Sequence, residues 1–102
     1  MKRIISTTKA PAAIGPYSQA IEVNDTLYIS GQIPVNPENG KVDALTIEQQ
    51  AEQVLQNIGA ILQAAGYGYS DVVKSTIFIT DMKNFSAVNE VYKKYYTEKF
   101  PA

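Results

Sequence analysis

The chain has no cysteine and no histidine, and its only arginine stands at position 3. Without cysteine there is no disulfide framework, no thiolate nucleophile and no Cys-based zinc or iron–sulfur site. Without histidine there is no Ser-His-Asp triad, no imidazole base and no HExxH motif. Nine basic residues against ten acidic ones give a net charge of −1, with a pI of about 5.3. That balance leaves no basic footprint for nucleic acid or for a membrane surface. No apolar run approaches the ~20 residues that span a bilayer, so no membrane partner is expected. After Met1-Lys2-Arg3 the chain turns polar instead of entering a secretory apolar core, and a cytoplasmic location is the expectation.

What is present suits one globular domain, residues 1–102: 45% of residues are hydrophobic and 19% charged. Lys2–Ser6 reads as a short strand, and Thr7–Pro16, with two prolines and Gly15, as a loop. Tyr17–Val23 and Leu27–Ser30 read as strands joined at Asn24-Asp25, a dipeptide that tolerates the positive φ of a tight hairpin. Gly31–Leu45, with the Pro37-Glu38-Asn39-Gly40 turn, reads as a long surface loop. From Thr46 to Ala65, apolar residues at Ile47, Ala51, Val54, Leu55, Ile58, Ile61, Leu62 and Ala65 predict a helix. Thr46 and Gln49 match a capping box at its start, and Gly66 stands where a left-handed residue ends it.

Val72–Thr80 (VVKSTIFIT) reads as the strongest strand, β-branched and aromatic. Asn84 is placed to cap a second helix running to about Thr97, its apolar side formed by Phe85, Val88, Val91, Tyr92 and Tyr95. The order β-β-β-α-β-α predicts an α+β, two-layer sandwich, an antiparallel or mixed sheet with two helices on one face. Apolar residues on both sides of Val72–Thr80 imply that the second sheet face is covered, most simply by another subunit.

Four segments carry a resemblance. Ala10-Pro11-Ala12-Ala13-Ile14-Gly15-Pro16-Tyr17-Ser18-Gln19 resembles the N-terminal signature of the RidA/YjgF family. Ser30-Gly31-Gln32-Ile33-Pro34 resembles its second motif. Val72-Val73-Lys74-Ser75-Thr76 and Phe85-Ser86-Ala87-Val88-Asn89-Glu90-Val91-Tyr92 resemble its last strand–helix pair. The match covers the whole chain in order. It implies a chorismate-mutase-like fold, a homotrimer and a small cleft between neighbouring subunits. It also implies hydrolytic deamination of 2-imino acids, such as 2-iminobutanoate and 2-iminopropanoate, to 2-keto acids and ammonia without a cofactor or a metal. Some members were also named as translation inhibitors or endoribonucleases.

The sequence departs from that family at its end. In relatives, the segment matching Phe100-Pro101-Ala102 runs on into two further strands that supply a carboxylate-binding arginine and a water-positioning acid. Neither has a counterpart here, and Arg3 does not match. The expectation is therefore a domain incomplete at its C-terminus, with sheet edges that a longer polypeptide or a rearranged assembly must cover.

Five residues become candidates. Gly31 lacks a Cβ, so a ligand can approach the backbone, and the N–H groups at Gly31 and Ile33 can hold a carboxylate. The alternative is that Gly31 only turns the chain out of the sheet. Ser30 can hydrogen-bond a ligand, but with no base beside it the residue is not an activated nucleophile, and a structural role is the competing reading. Tyr17, held stiffly by Pro16, can donate to an imine nitrogen or a water; otherwise it fills a subunit contact. Asn89 flanks the apolar stripe of the second helix, where its amide either orients substrate and water or bonds a backbone group beneath the helix. Tyr17 and Asn89 are thus the catalytic candidates, and Ser30, Gly31 and Ile33 the substrate-binding ones. Two other readings compete: a scaffold that keeps the cleft but has lost the chemistry, and an RNA-directed nuclease. The second is opposed by the scarcity of Lys and Arg clusters, Lys93-Lys94 being the one such pair on the second helix.

Overall fold

The computed structural model describes every residue from Met1 to Ala102. Three strands form one antiparallel sheet in the order β1 (Arg3–Ile5), β2 (Ala20–Val23), β3 (Thr26–Ile29). The hairpin register is set by its turn. Val23 pairs with Thr26, and Asn24 (φ 50°) and Asp25 (φ 60°) form the two-residue connection. Positive φ at both positions gives a turn whose twist matches the strands, as the sequence predicts. Alternation then divides the sheet. Ile5, Ala20, Leu27 and Ile29 point into one core cluster with Ala10, Ile61 and Ala65. Ile4 and Tyr28, both opposite Ile21, lie on the other face at 61% and 63% exposure.

Helix α1 (Ile47–Ala65) is the element that joins the two halves. At its start Thr46 Oγ1 accepts from the Gln49 amide at 3.1 Å, and Gln49 Oε1 accepts from the Thr46 amide at 3.3 Å. At its end Gly66 takes φ 88°, its amide donates to Gln63 O, and Tyr67 N donates to Leu62 O. These bonds satisfy end carbonyls that the helix leaves without partners. Arg3 Nη2 reaches a further one, Ala65 O, at 3.2 Å. Thr46→Ala is expected to lower stability by about 1 kcal/mol, because the Gln49 amide loses its acceptor. A urea midpoint unchanged from the parent would contradict this.

The second helix, α2 (Phe85–Tyr95), packs on α1 through the buried trio Leu55, Val91 and Tyr96. It ends two residues earlier than Thr97, and its start is built differently from the expectation. Asn84 is already helical in backbone (φ −85°, ψ −3°) and its side chain caps nothing. Asp81 does the capping, one short turn upstream, where its side chain accepts from Lys83 N at 3.0 Å at the head of a 3₁₀ turn, Met82–Asn84.

The α+β class, the antiparallel sheet and the two helices are as the sequence predicts. The fourth strand is not. Val72–Thr80 joins no ladder, so the observed order is β-β-β-α-α. Apart from Val72 N, which donates to Tyr69 O at 3.1 Å where the preceding 3₁₀ turn ends, its backbone bonds go to Ala102, which accepts from Ser75 N at 2.8 Å and donates to Val73 O at 2.9 Å. The physical reason is that strand propensity describes side chains, whereas a strand exists through backbone pairing. Here neither the outer edge of β3 nor any other strand pairs with the segment. Val73 and Phe78 are correspondingly exposed, at 81% and 92%. No helix is long and apolar enough to cross a membrane.

Candidate functional site

The open end of the β2–β3 hairpin gathers four of the five candidates. Ser30 N donates to Gln19 O at 3.0 Å, which carries the pairing one step beyond the strands. Ser30 Oγ donates to Ser18 O at 2.7 Å. The hydroxyl proton is therefore used inside the fold, and the oxygen can meet a ligand only as an acceptor. Tyr17 lies one residue before Ser18 and is half-exposed. Its amide donates to Gly15 O at 2.9 Å and its hydroxyl accepts from Ile14 N at 3.4 Å. Gly15 (φ 129°) takes a backbone conformation that only glycine adopts freely, so the Gly15-Pro16-Tyr17 corner depends on it.

Beyond Ser30 the chain leaves the sheet with its donors free. The amides of Gly31, Gln32 and Ile33 donate to no group of the chain. Gly31 and Ile33 are exposed, and no atom lies within 4 Å of where a Gly31 Cβ would stand. The space beside Gly31 is thus open, and no neighbouring atom of the chain requires a glycine there. Gln32 Nε2 donates back to Ser30 O at 3.1 Å. Val35 N donates to Ile33 O at 2.7 Å in a tight turn. Successive unpaired N–H groups of this kind make a local region of positive potential suited to a carboxylate.

Asn89 stands apart. It is exposed on α2, and its side chain makes no hydrogen bond within the chain. The concave surface of about 510 Å³ beside the N-terminal loop includes Tyr17, Thr7, Gln19 and Pro37 but neither Asn89 nor Gly31. One copy of the chain therefore brings Tyr17, Ser30, Gly31 and Ile33 to one end of the sheet and leaves Asn89 on another surface. No cluster of three or more acidic residues is placed to hold a metal ion.

The charged groups are engaged elsewhere. Arg3 Nε donates to Glu22 Oε1 at 2.8 Å, and the Tyr67 hydroxyl donates to Glu22 Oε2 at 2.6 Å. The hydrogen bond from Arg3, with that from Tyr67, holds the Glu22 carboxyl below the usual carboxylate range, and the same bonds raise the Arg3 and Tyr67 values. The lone arginine thus clips β1 to β2 and to the end of α1, and takes no part in the candidate site. Burial pushes the Tyr69 phenol up to about 12, and burial with the Glu52 hydrogen bond raises Tyr95. Both stay neutral donors, Tyr69 to Leu55 O at 2.6 Å and Tyr95 to Glu52.

Two residues that hold the site in place were not singled out by sequence reasoning. Gln19 is 4% exposed. Its Nε2 donates to Thr7 O, Ala10 O and Pro11 O, and its Oε1 accepts from Thr7 N. Asn57 is fully buried in α1; its Nδ2 donates to Val35 O at 2.9 Å and Ile33 O at 3.3 Å, and its Oδ1 accepts from Gln53. The signal for Asn57 was visible: it lies three residues after Val54 and four before Ile61, an amide on the apolar stripe. A polar group at such a position must find partners.

The family described as Endoribonuclease L-PSP matches residues 7–102. A goat (Capra hircus) protein named 2-iminobutanoate/2-iminopropanoate deaminase is 53% identical over all of this chain and 74% of its own length. A human protein of the same name is 49% identical, again over the whole chain and 74% of its own length. Among solved structures, a Rid-family protein from Yersinia pestis superposes with a TM-score of 0.97 at 51% identity, covering 100% of this chain and 82% of that one.

Proposed function

The chain belongs to the endoribonuclease L-PSP family, the RidA/YjgF proteins, and from that premise we propose that it is a 2-iminobutanoate/2-iminopropanoate deaminase. The observation that carries this reading is identity near 50% over the full chain to relatives named for that activity. The fold is the chorismate-mutase-like α+β arrangement of these proteins. Residues 1–102 act as one domain of this type.

The reaction asks little of a protein. Water adds to the electrophilic C=N carbon, the C–N bond of the adduct breaks, ammonia leaves and a 2-keto acid remains. The site must hold the carboxylate, aim the water and pass protons. The free amides of Gly31 and Ile33 are the donors for the carboxylate, in place of an arginine. Ser30, its proton given to Ser18, shapes the approach as an acceptor. Tyr17 donates to the imine nitrogen or the water. Asn89 completes the site from a neighbouring copy, which is why one chain leaves it apart. In this reading the working unit is a homotrimer and its location cytoplasmic. The open apolar sheet face around Ile4 and Tyr28 supports such burial. The RNA-directed reading finds no support in charge, because the net charge is −1 and Lys93 already pairs with Glu90 at 3.3 Å.

The test follows 2-iminobutanoate loss in the presence and absence of the protein. The parent should accelerate it, and Asn89→Ala should lower kcat/KM by about tenfold or more, the scale of one lost hydrogen bond to a charged or developing-charge group. No acceleration by the parent protein would overturn the reading.

A further inference from the structure

The loop between β3 and α1 carries a chemistry that deamination of imines does not use. Asn39 is followed by Gly40, both are exposed, and Gly40 sits at φ 73°. An Asn side-chain amide followed by glycine can be attacked by the next backbone nitrogen, because glycine has no Cβ to hinder the approach. Of the six asparagines in the sequence, only Asn39 precedes glycine. The loop holds this amide at both ends. Asn39 Nδ2 donates to Asp43 Oδ2 at 2.8 Å, and Asn39 Oδ1 accepts from Lys41 N at 2.9 Å. The would-be nucleophile is also occupied, since Gly40 N donates to Asn36 O at 2.8 Å. The same Asp43 oxygen accepts from Asn36 Nδ2 at 3.1 Å. Asn36 shares the carboxylate but precedes Pro37, which has no N–H to attack with, so it serves as a built-in control.

We propose that Asn39 is a self-modification site held in check by Asp43. When the hold opens, Gly40 N loses its proton to solvent base and bonds to Asn39 Cγ. The Cγ–Nδ2 bond breaks and ammonia leaves, giving a cyclic imide. Water then opens the imide at either carbonyl, to aspartate or to isoaspartate. Nitrogen leaves as ammonia, oxygen enters from water, and no oxidant or cofactor is involved. The product cannot return to its former place. A new carboxylate at position 39 has no proton to give Asp43 and repels it at hydrogen-bond distance. The isoaspartate form also lengthens the backbone inside the Asn36–Lys41 bridge. Pro37, in the same turn, borders the groove that contains Tyr17, so the altered loop lies against the candidate site.

The experiment incubates the full chain in neutral and mildly alkaline buffer and follows intact mass, with peptide mapping to place the change and to separate aspartate from isoaspartate. Parallel samples are unfolded in urea. In the folded parent the change is expected at Asn39 and not at Asn36, faster at higher pH, and about tenfold slower than in urea, the scale of a charge-assisted hydrogen bond lost. Asp43→Ala should remove most of that protection in the folded state and leave the rate in urea unchanged. Asp43→Asn, which keeps an acceptor, should fall between. Equal rates for folded and unfolded parent, equal rates for folded parent and folded Asp43→Ala, or modification elsewhere ahead of Asn39 would each overturn the proposal. Circular dichroism before incubation identifies any variant that is not folded, and the comparison of folded parent with urea then decides alone.

Discussion

Gly59→Ala is expected to destabilise the fold by about 2 kcal/mol, although it replaces a mid-helix glycine by the best helix former. On an isolated helix the change would add about 1 kcal/mol of stability. Here a Cβ at position 59 would stand 2.1 Å from the Tyr69 hydroxyl and 2.7 Å from its Cζ. Tyr69 is fixed from both sides. Its hydroxyl donates to Leu55 O at 2.6 Å, and its ring packs at 5.2 Å from Tyr95 and 5.6 Å from Tyr96. The phenol cannot retreat without giving up that hydrogen bond and disturbing the contact between α1 and α2. Overpacking of this kind costs about 1–3 kcal/mol and an orphaned buried donor about 1–3 more, which together exceed the propensity gain. Urea denaturation of a double-mutant cycle isolates the cause. In the Tyr69→Ala background, Gly59→Ala should become neutral or stabilising, and the two changes should be strongly non-additive. A parent-like or higher midpoint for Gly59→Ala alone would remove Tyr69 as the reason for the glycine.

That glycine also marks where sequence patterning stops. The helix itself was legible end to end: Thr46, Gln49 and Gly66 occupy the cap positions the pattern assigns them. Asn24-Asp25 likewise fixed the hairpin, because local φ preferences decide a two-residue turn. What could not be read was pairing across long separations. Val72–Thr80 has strand composition, yet composition does not say whether a neighbour lies beside it, and none does. The cap of α2 was misplaced by three residues because Asn84 and Asp81 are both good caps, and only the intervening 3₁₀ turn chooses between them. Within the site, the exposed Gly31 and Ile33 were reached through a motif. Gln19 and Asn57 act through buried amides that bind loop backbone groups 8 to 24 residues away. No periodicity encodes such partners; only the rule that a buried amide must be satisfied points to them.

The isosteric change Gln19→Glu should be the most damaging single-residue test of that rule, costing about 3–5 kcal/mol at neutral pH, the range for an uncompensated buried charge. The parent amide gives its hydrogens to three carbonyls, at 3.0 Å (Thr7), 3.3 Å (Ala10) and 2.8 Å (Pro11), while its oxygen takes the Thr7 amide at 2.7 Å. A carboxylate can keep only the last of these bonds. Its second oxygen would face three carbonyl oxygens with no proton between them. Burial and this repulsion favour the neutral acid, so the folded-state pKa of the new residue lies above its unfolded value of about 4.3. The sign follows. Below about pH 4.3 the acid is neutral in both states, donates to one carbonyl, and the deficit is smallest. As pH rises, the unfolded chain releases its proton first, and stability falls by about 1.4 kcal/mol per pH unit until the folded pKa is passed. Gln19→Met, similar in size and without a titratable group, should lose stability by an amount independent of pH. The difference between the two variants in urea midpoint across the acidic range therefore measures the electrostatic part alone. A flat difference would mean that the loop from Thr7 to Pro11 moves away and lets water solvate the carboxylate. In that case the loop, and the Tyr17 corner that follows it, is held by its apolar contacts through Ala10 and not by Gln19. A rising deficit would mean that one buried amide fixes the wall of the site from which Tyr17 projects.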